Sequence, residues 1–337
     1  MSIINILWVK DGKPGHEKQV KILLEELSKT LEIKVHEFFC PEKGNLSRIW
    51  QTMELFGEKY KHLGKFANEN RRVKLNNLER DAILEKDIEI VIGAGSRAQL
   101  EMLRFKEYFE YKQIKKLKII SVLSPSIHKA YFDVICAPEH DNYKFHSKNN
   151  VILYTGALAK VSNVAPIENI GFLGIGGKNK HYVFNENKLL KQIEYLITLY
   201  PNKEWNLFTS RRTPKGIIKE LNKLSNNYPN LVIGKGNIDE IIENASIKVV
   251  TQDSVSMVFE CLSTKGSTYV FNMKYYKKNK IVQLMNSLLE NQQVGYIDYS
   301  PMADGLKKIK MINRNEHYDV FAEVEKVAYA LIKKLSL

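Results

Sequence analysis

Lys10-Asp11-Gly12-Lys13-Pro14-Gly15-His16-Glu17-Lys18-Gln19 is the stretch whose reading decides the fold. Upstream, Ile3 to Val9 is a short apolar, β-prone run that ends at this decapeptide. Downstream, Val20, Leu23, Leu24, Leu27 and Leu31 fall at helical spacing, which predicts a helix beginning near His16. The decapeptide is then a strand-to-helix turn at the carboxyl end of a first strand, where open α/β sheets bind ligands. Gly12 and Gly15 permit unusual backbone angles and close approach of a ligand. The following helix offers unpaired N–H groups and a positive dipole end to an anion. Asp11, His16 and Glu17 put three proton-transfer groups within one turn. Gly and Pro also make ordinary βα turns, so the rest of the chain has to decide.

The alternation repeats along the first half. Strands are expected at Ile33 to Phe39, Ile88 to Ile92, Lys118 to Leu123, Phe132 to Ala137 and Val151 to Tyr154. Gly93-Ala94-Gly95-Ser96-Arg97 is a second Gly-rich turn, with a helix from Ala98 to about Tyr108. From Leu46 to Phe66, Ile49, Trp50, Met53, Phe56, Tyr60 and Leu63 recur at helical intervals among lysines. That stripe reads either as a core face or as an amphipathic surface helix. Residues 67–80 read as an exposed connection. Ala159 to Asn169 is a linker, and a second α/β half starts with Ile170 to Ile175. Its strands are expected at Trp205 to Thr209, Leu231 to Ile233, Lys248 to Thr251 and Thr268 to Phe271, the last clear strand. Helices alternate with them, and Tyr318 to Leu335 is a terminal helix. The expected fold is α/β, with two Rossmann-like domains facing a cleft: residues 1–158, a linker at 159–169, and 170–337 with the C-terminal helix.

The 337 residues suit two domains of roughly 150 each. No apolar run reaches the ~18 residues a membrane span needs, and no signal or transit peptide is evident at the start. Three widely spaced cysteines, Cys40, Cys136 and Cys261, argue against a disulfide framework or zinc cluster and for a reducing, cytoplasmic compartment. The formal net charge of +13 calls for anionic partners. No nucleic-acid module and no aromatic-interleaved basic stripe accompanies it, which favours phosphorylated ligands and an anionic membrane surface over nucleic acid.

Three loops of the second half carry phosphate chemistry. Gly176-Gly177-Lys178 follows an apolar strand, with backbone N–H groups for an anion and a Lys for charge. Ser210-Arg211-Arg212-Thr213 offers two guanidinium forks, which suit a diphosphate. Asp253-Ser254-Val255-Ser256 opens a helix that carries Glu260 one to two turns in, where a ribose or sugar hydroxyl can meet it. Each has a plain reading as a cap or solvated loop, but three converging in one half count for more than one. His140-Asp141 adds a second acid–base pair. No metal-ligand spacing joins His16, His140 and Asp141.

Together Asp11 to Gln19, Pro138-Glu139-His140-Asp141, Thr155-Gly156-Ala157, Ser210 to Pro214 and Thr251 to Met257 resemble the mitochondrial-fission elongated-mitochondria-like family over nearly the whole chain. Ser124-Pro125 departs from the Gln/Asp-Pro loop expected in relatives. Bacterial members look like glycosyltransferases of the GT-B type. Gly15-His16 is also similar to the Gly-Gly-His ending of the first loop in the transferase that adds N-acetylglucosamine to the lipid-linked peptidoglycan precursor.

The resemblance implies transfer from a nucleotide-activated sugar, a co-substrate rather than a cofactor, to an envelope glycolipid or glycan at the inner membrane face. In that reading His16 or Asp11 is the general base, with His140 nearby, and no metal is required. Gly176, Gly177, Lys178, Ser210, Arg211, Arg212, Asp253, Ser254, Ser256 and Glu260 hold the nucleotide sugar. Gly12, Gly15, Glu17, Gly95, Ser96 and Arg97 line the acceptor side. The rivals are a docking adaptor without catalysis and a sugar-nucleotide epimerase or hydrolase.

Overall fold

The computed structural model describes residues 3–40, 82–83, 85–111, 117–125, 129–141, 149–301, 307–313 and 320–337. The aromatic stripe from Leu46 to Phe66 and the connection at 67–80 lie outside them. The chain forms two compact units. One is drawn from the described residues of Met1–Ala137, Lys144–Leu153 and Val327–Leu337, the other from those of Pro138–Tyr143 and Tyr154–Lys326.

The first unit is built on a six-stranded sheet of order β2-β1-β3-β4-β5-β6. These strands are β1 (Ile4–Lys10), β2 (Ile33–Phe39), β3 (Ile90–Ala94), β4 (Lys118–Val122), β5 (Val134–Pro138) and β6 (Val151–Tyr154). β1 pairs in parallel with both β2 and β3, and β4 pairs in parallel with β3 and β5. Ile6, Leu7, Trp8 and Val9 are all buried, so β1 is a continuous apolar run, as a strand covered on both faces requires. Helix α1 (Pro14–Ser28) buries Val20, Leu23, Leu24 and Leu27, and Pro14 begins it where a missing N–H costs nothing. Helix α2 (Gly95–Tyr111) starts directly at the end of β3. Gly95, Ser96 and Arg97 are therefore its first turn rather than a free loop before Ala98. Because β1 leads outward to β2 while β3 lies on its other side, the β1 and β3 turns share the topological switch point of this sheet.

The second unit holds a seven-stranded sheet of order β13-β12-β11-β10-β7-β8-β9. Its strands are β7 (Ile167–Ile175), β8 (Glu204–Thr209), β9 (Leu231–Ile233), β10 (Ala245–Val250), β11 (Ser267–Val270), β12 (Gly295–Pro301) and β13 (Lys307–Ile312). Phe172 and Val250 turn to one core face, Leu173 and Val249 to the other, as the period of two dictates. Helices α3 (Glu186–Leu199), α4 (Lys215–Asn227), α5 (Ile238–Asn244), α6 (Val255–Leu262) and α7 (Lys280–Glu290) accompany the strands. β7 and β10 are neighbours although β8 and β9 intervene in sequence, so the switch point of this sheet lies between them.

Five elements differ from expectation. β7 begins at Ile167, inside the stretch read as linker. α7, β12 and β13 follow the strand taken as the last, and β12 pairs with β13 antiparallel, closing an otherwise parallel sheet. Lysines punctuate Lys307–Ile312, an edge-strand pattern that resembles loop composition. The terminal helix, α8 (Glu323–Leu335), begins at Glu323. Among the described residues no helix is long and apolar enough to cross a membrane.

Candidate functional site

At the switch point of the first unit, Asp11 stands one residue past β1 and is only 3% exposed. Its Oδ2 lies 2.9 Å from His16 Nδ1, and its Oδ1 accepts the Lys13 N–H at 3.0 Å. Burial raises the Asp11 carboxyl, but the His16 and Lys13 hydrogen bonds and nearby positive charge outweigh it, so the group sits below the ordinary carboxylate range. A carboxylate only accepts, so His16 Nδ1 carries the proton toward Asp11 and Nε2 is left as the basic nitrogen. The side chain of His16 is part-exposed.

Neighbours fix this pair. A Cβ on Gly95 would stand 2.4 Å from His16 Nδ1 and 2.5 Å from Asp11 Oδ2, and Gly95 has φ +85°. Only glycine satisfies both demands. Arg97 Nη1 donates to the Asp11 carbonyl at 3.4 Å. Glu17 is turned away from proton transfer: its Oε1 accepts the Gly12 N–H at 2.9 Å, and Lys10 stands 3.7 Å from its other oxygen. Gly12 has the left-handed φ expected of it, +78°, whereas Gly15 is ordinary helix with open space around it. Ser96 is exposed in the first turn of α2.

The second unit gathers its three loops at its own switch point. Gly176 N–H donates to Thr251 Oγ1 at 2.7 Å and Gly177 N–H to Asp253 Oδ2 at 2.9 Å. Arg212 Nη2 pairs with that same Oδ2 at 3.0 Å. The two glycine N–H groups expected to face a phosphate are thus held by the protein's own oxygens. Cβ atoms there would collide with the Asp253 carboxylate (2.3 Å) and the Arg212 backbone (2.1 Å), so both glycines serve close approach between loops. Burial raises the Asp253 carboxyl above its ordinary range, against the pull of the Gly177 N–H, Thr251 and Arg212. Its Oδ1 is buried with no hydrogen-bond partner among the described residues.

Arg211 and Arg212 lie in the turn before α4, not inside the helix, and both are exposed. Ser210 Oγ accepts the Arg212 N–H at 3.2 Å and so shapes that turn. Lys178 is exposed, and its N–H donates to the Arg212 carbonyl at 3.3 Å. Ser254 is the N-cap of α6 but makes no side-chain capping bond, and Ser256 is exposed in the first turn. Glu260 is half-buried further along the same helix. His140 sits in a single 3-10 turn, Glu139–Asp141, which groups with the second unit, while Asp11 and His16 belong to the first. Burial holds its imidazole below the ordinary value despite Asp141, and its Nδ1 is buried without a hydrogen-bond partner among the described residues.

Sequence reasoning missed the groups that tie the loops together. Thr213 Oγ1 donates to the carbonyls of Ile175 and Gly176. Asn179 Oδ1 accepts from the N–H groups of His181 (2.7 Å) and Tyr182 (2.9 Å), and its Nδ2 donates to the Asp253 carbonyl at 3.3 Å. The Gly-Gly-Lys-Asn order was the available signal, because Asn commonly closes a turn on backbone N–H groups two residues on.

Two Rossmann-like α/β units with loops at the switch point of each define a protein of the GT-B class of fold. Solved structures agree. The UDP-GlcNAc 2-epimerase of Neisseria meningitidis, bound to UDP-GlcNAc, is 11% identical with a TM-score of 0.53, over 99% of this chain and 100% of that one. A candidate UDP-N-acetylglucosamine 2-epimerase from Listeria monocytogenes is 10% identical with a TM-score of 0.54, over 99% and 96% of the two chains. At such identity the likeness is one of fold. The chain belongs to the family described as Mitochondrial fission ELM1, whose model matches residues 14–335. The uncharacterized protein RP120 of Rickettsia prowazekii (strain Madrid E) is 24% identical over 296 residues, 70% of this chain and 82% of that protein.

Proposed function

We propose that this protein is a nucleotide-sugar-dependent glycosyltransferase that acts directly on a cell-envelope glycolipid or glycan at the inner face of the membrane. The observation that carries the reading is the Asp11–His16 pair: a buried carboxylate 2.9 Å from the Nδ1 of a part-exposed imidazole, which leaves Nε2 as its acceptor nitrogen. His16 Nε2 takes the proton of the acceptor hydroxyl as its oxygen attacks the anomeric carbon. The bond from that carbon to the nucleotide phosphate breaks, and the phosphate leaves with the electron pair. The buried Asp11 orients the imidazole and stabilises the imidazolium that forms.

The second unit takes the donor in this reading. Arg211, Arg212 and Lys178 meet the phosphates together with the N–H groups opening α6 beside Ser256, and Glu260 meets ribose or sugar. The UDP-GlcNAc held by the Neisseria enzyme supports a uridine nucleotide as the first donor to try.

A second reading is favoured by the same comparison: both solved structures named above are described as epimerases, which alter the donor sugar and need no acceptor. Product analysis with UDP-GlcNAc separates the two. A transferase releases UDP only as a glycosylated acceptor accumulates, whereas an epimerase yields the isomeric sugar without one. His16→Ala should abolish transfer while a thermal-shift assay still registers nucleotide binding. Undiminished turnover in that variant would remove His16 from the mechanism.

A further inference from the structure

Between β11 and α7 the chain runs Lys274-Tyr275-Tyr276-Lys277-Lys278, an aromatic-interleaved basic stripe where the sequence reading expected none. All five residues are exposed, Tyr275 by 43% and Tyr276 by 64%. Tyrosines usually bury much of their rings, so two neighbours presented to water need a reason. The segment is not slack. Val183 N–H donates to the Lys274 carbonyl at 2.7 Å, Tyr276 N–H donates to the His181 carbonyl at 3.0 Å, and Tyr182 bridges Tyr275 antiparallel. At the far end Asn279 accepts the N–H groups of Ile281 and Val282 and so caps α7. The stripe is thus one strand of a pinned ribbon whose other strand adds the exposed Lys180. Lys280 pairs with Asp141 and stands outside the stripe.

We infer that this ribbon docks the protein on an anionic lipid bilayer. Lys180, Lys274, Lys277 and Lys278 meet headgroup phosphates, and Tyr275 and Tyr276 seat at headgroup level. Lysine stems carry compact charges toward an anionic surface, and a tyrosine ring with an apolar body and polar tip suits the boundary between water and hydrocarbon. The shape speaks against single-stranded nucleic acid. Such binders track the backbone along a basic groove with successive bases stacked on aromatics. Here the five exposed residues are consecutive in sequence and bend at Tyr276 and Lys277, so they do not run as an extended platform along a strand. The inference does not rest on the sugar-transfer reading, because none of the residues assigned to that chemistry belongs to the ribbon.

The test is sedimentation of the full chain with vesicles of equal parts phosphatidylcholine and phosphatidylglycerol, against phosphatidylcholine alone. Wild-type protein should bind only the anionic vesicles. The triple variant Lys274→Gln, Lys277→Gln and Lys278→Gln should bind them on the order of a hundredfold more weakly. The double variant Tyr275→Ser and Tyr276→Ser should weaken binding several-fold. A control removing equal charge elsewhere, Lys215→Gln, Lys219→Gln and Lys235→Gln, should bind nearly as wild type. Absence of vesicle binding, equal loss in both triple variants, or tighter binding to single-stranded oligonucleotide than to vesicles would each overturn the inference. Should the lysine triple variant fail to fold, the tyrosine double variant carries the test, and unchanged binding there overturns it.

Discussion

Gly95 and Asp11 set what His16 can do, and both can be tested one residue at a time. Gly95→Ala adds a Cβ where His16 Nδ1 and Asp11 Oδ2 already stand, at a φ of +85°. It should cost about 1–3 kcal/mol of stability by denaturant titration. The same substitution should prise the Asp11–His16 pair apart, visible as a shifted imidazole resonance. For Asp11 the sign follows from its depressed carboxyl. Its contribution to stability is full above the unfolded carboxylate value of ~3.9 and is lost as pH falls through the lower folded value. Unfolding free energies measured from neutral pH into acid should therefore fall more in the wild type than in Asp11→Asn. Asp253 acts in the opposite sense: its raised carboxyl favours the fold below the unfolded value, and that contribution fades as pH rises through the folded one.

At the scale of elements, a buried cation stands where α6 ends. Lys248 of β10 is fully buried, and its Nζ donates to the carbonyls of Cys261 (2.7 Å), Thr264 (3.0 Å) and Lys265 (2.7 Å) and to Thr264 Oγ1 (2.6 Å). These acceptors lie where α6 ends, at the negative end of its dipole, so one ammonium holds the helix whose other end opens beside Asp253. Burial pulls its pKa down to about 8. Lys248→Met removes the ammonium from the Thr264 and Lys265 carbonyls and should destabilise the fold by about 3 kcal/mol in equilibrium denaturation. A change under about 0.5 kcal/mol, the usual range for exposed sites, would show that water or neighbouring side chains replace the ammonium.

For the whole molecule, each unit has its own sheet and its own switch-point loops, so a ligand confined to one should protect that one. UDP at a hundredfold excess over its Kd adds about 2.7 kcal/mol to a state that binds it. Amide exchange should then slow in the turns after β7, β8 and β10 of the second unit. Exchange in β1 and α1 of the first unit should stay close to its unliganded rate. Arg212→Ala should reduce this protection, and slowing confined to β1 and α1 would move the nucleotide to the first unit.

Read alone, the sequence determined the βα grammar and the turns that matter. Continuous apolar runs such as Ile6 to Val9, short and followed by a turn holding Gly12, Pro14 and Gly15, suit strands covered on both faces, and β2, β6 and β9 were legible to the residue. It also singled out Asp11 and His16, whose bond forms across one turn of chain. The tertiary structure alone decided what depends on distant partners. β12 and β13 were illegible because their residues alternate with lysine and polar groups, and only pairing at the sheet edge makes them strands. That Gly176 and Gly177 spend their N–H groups on Thr251 and Asp253 could not be read from a spacing of some 75 residues. Nor could the meeting of Gly95 with His16, because loop closure places side chains at contact without leaving a local pattern in the chain.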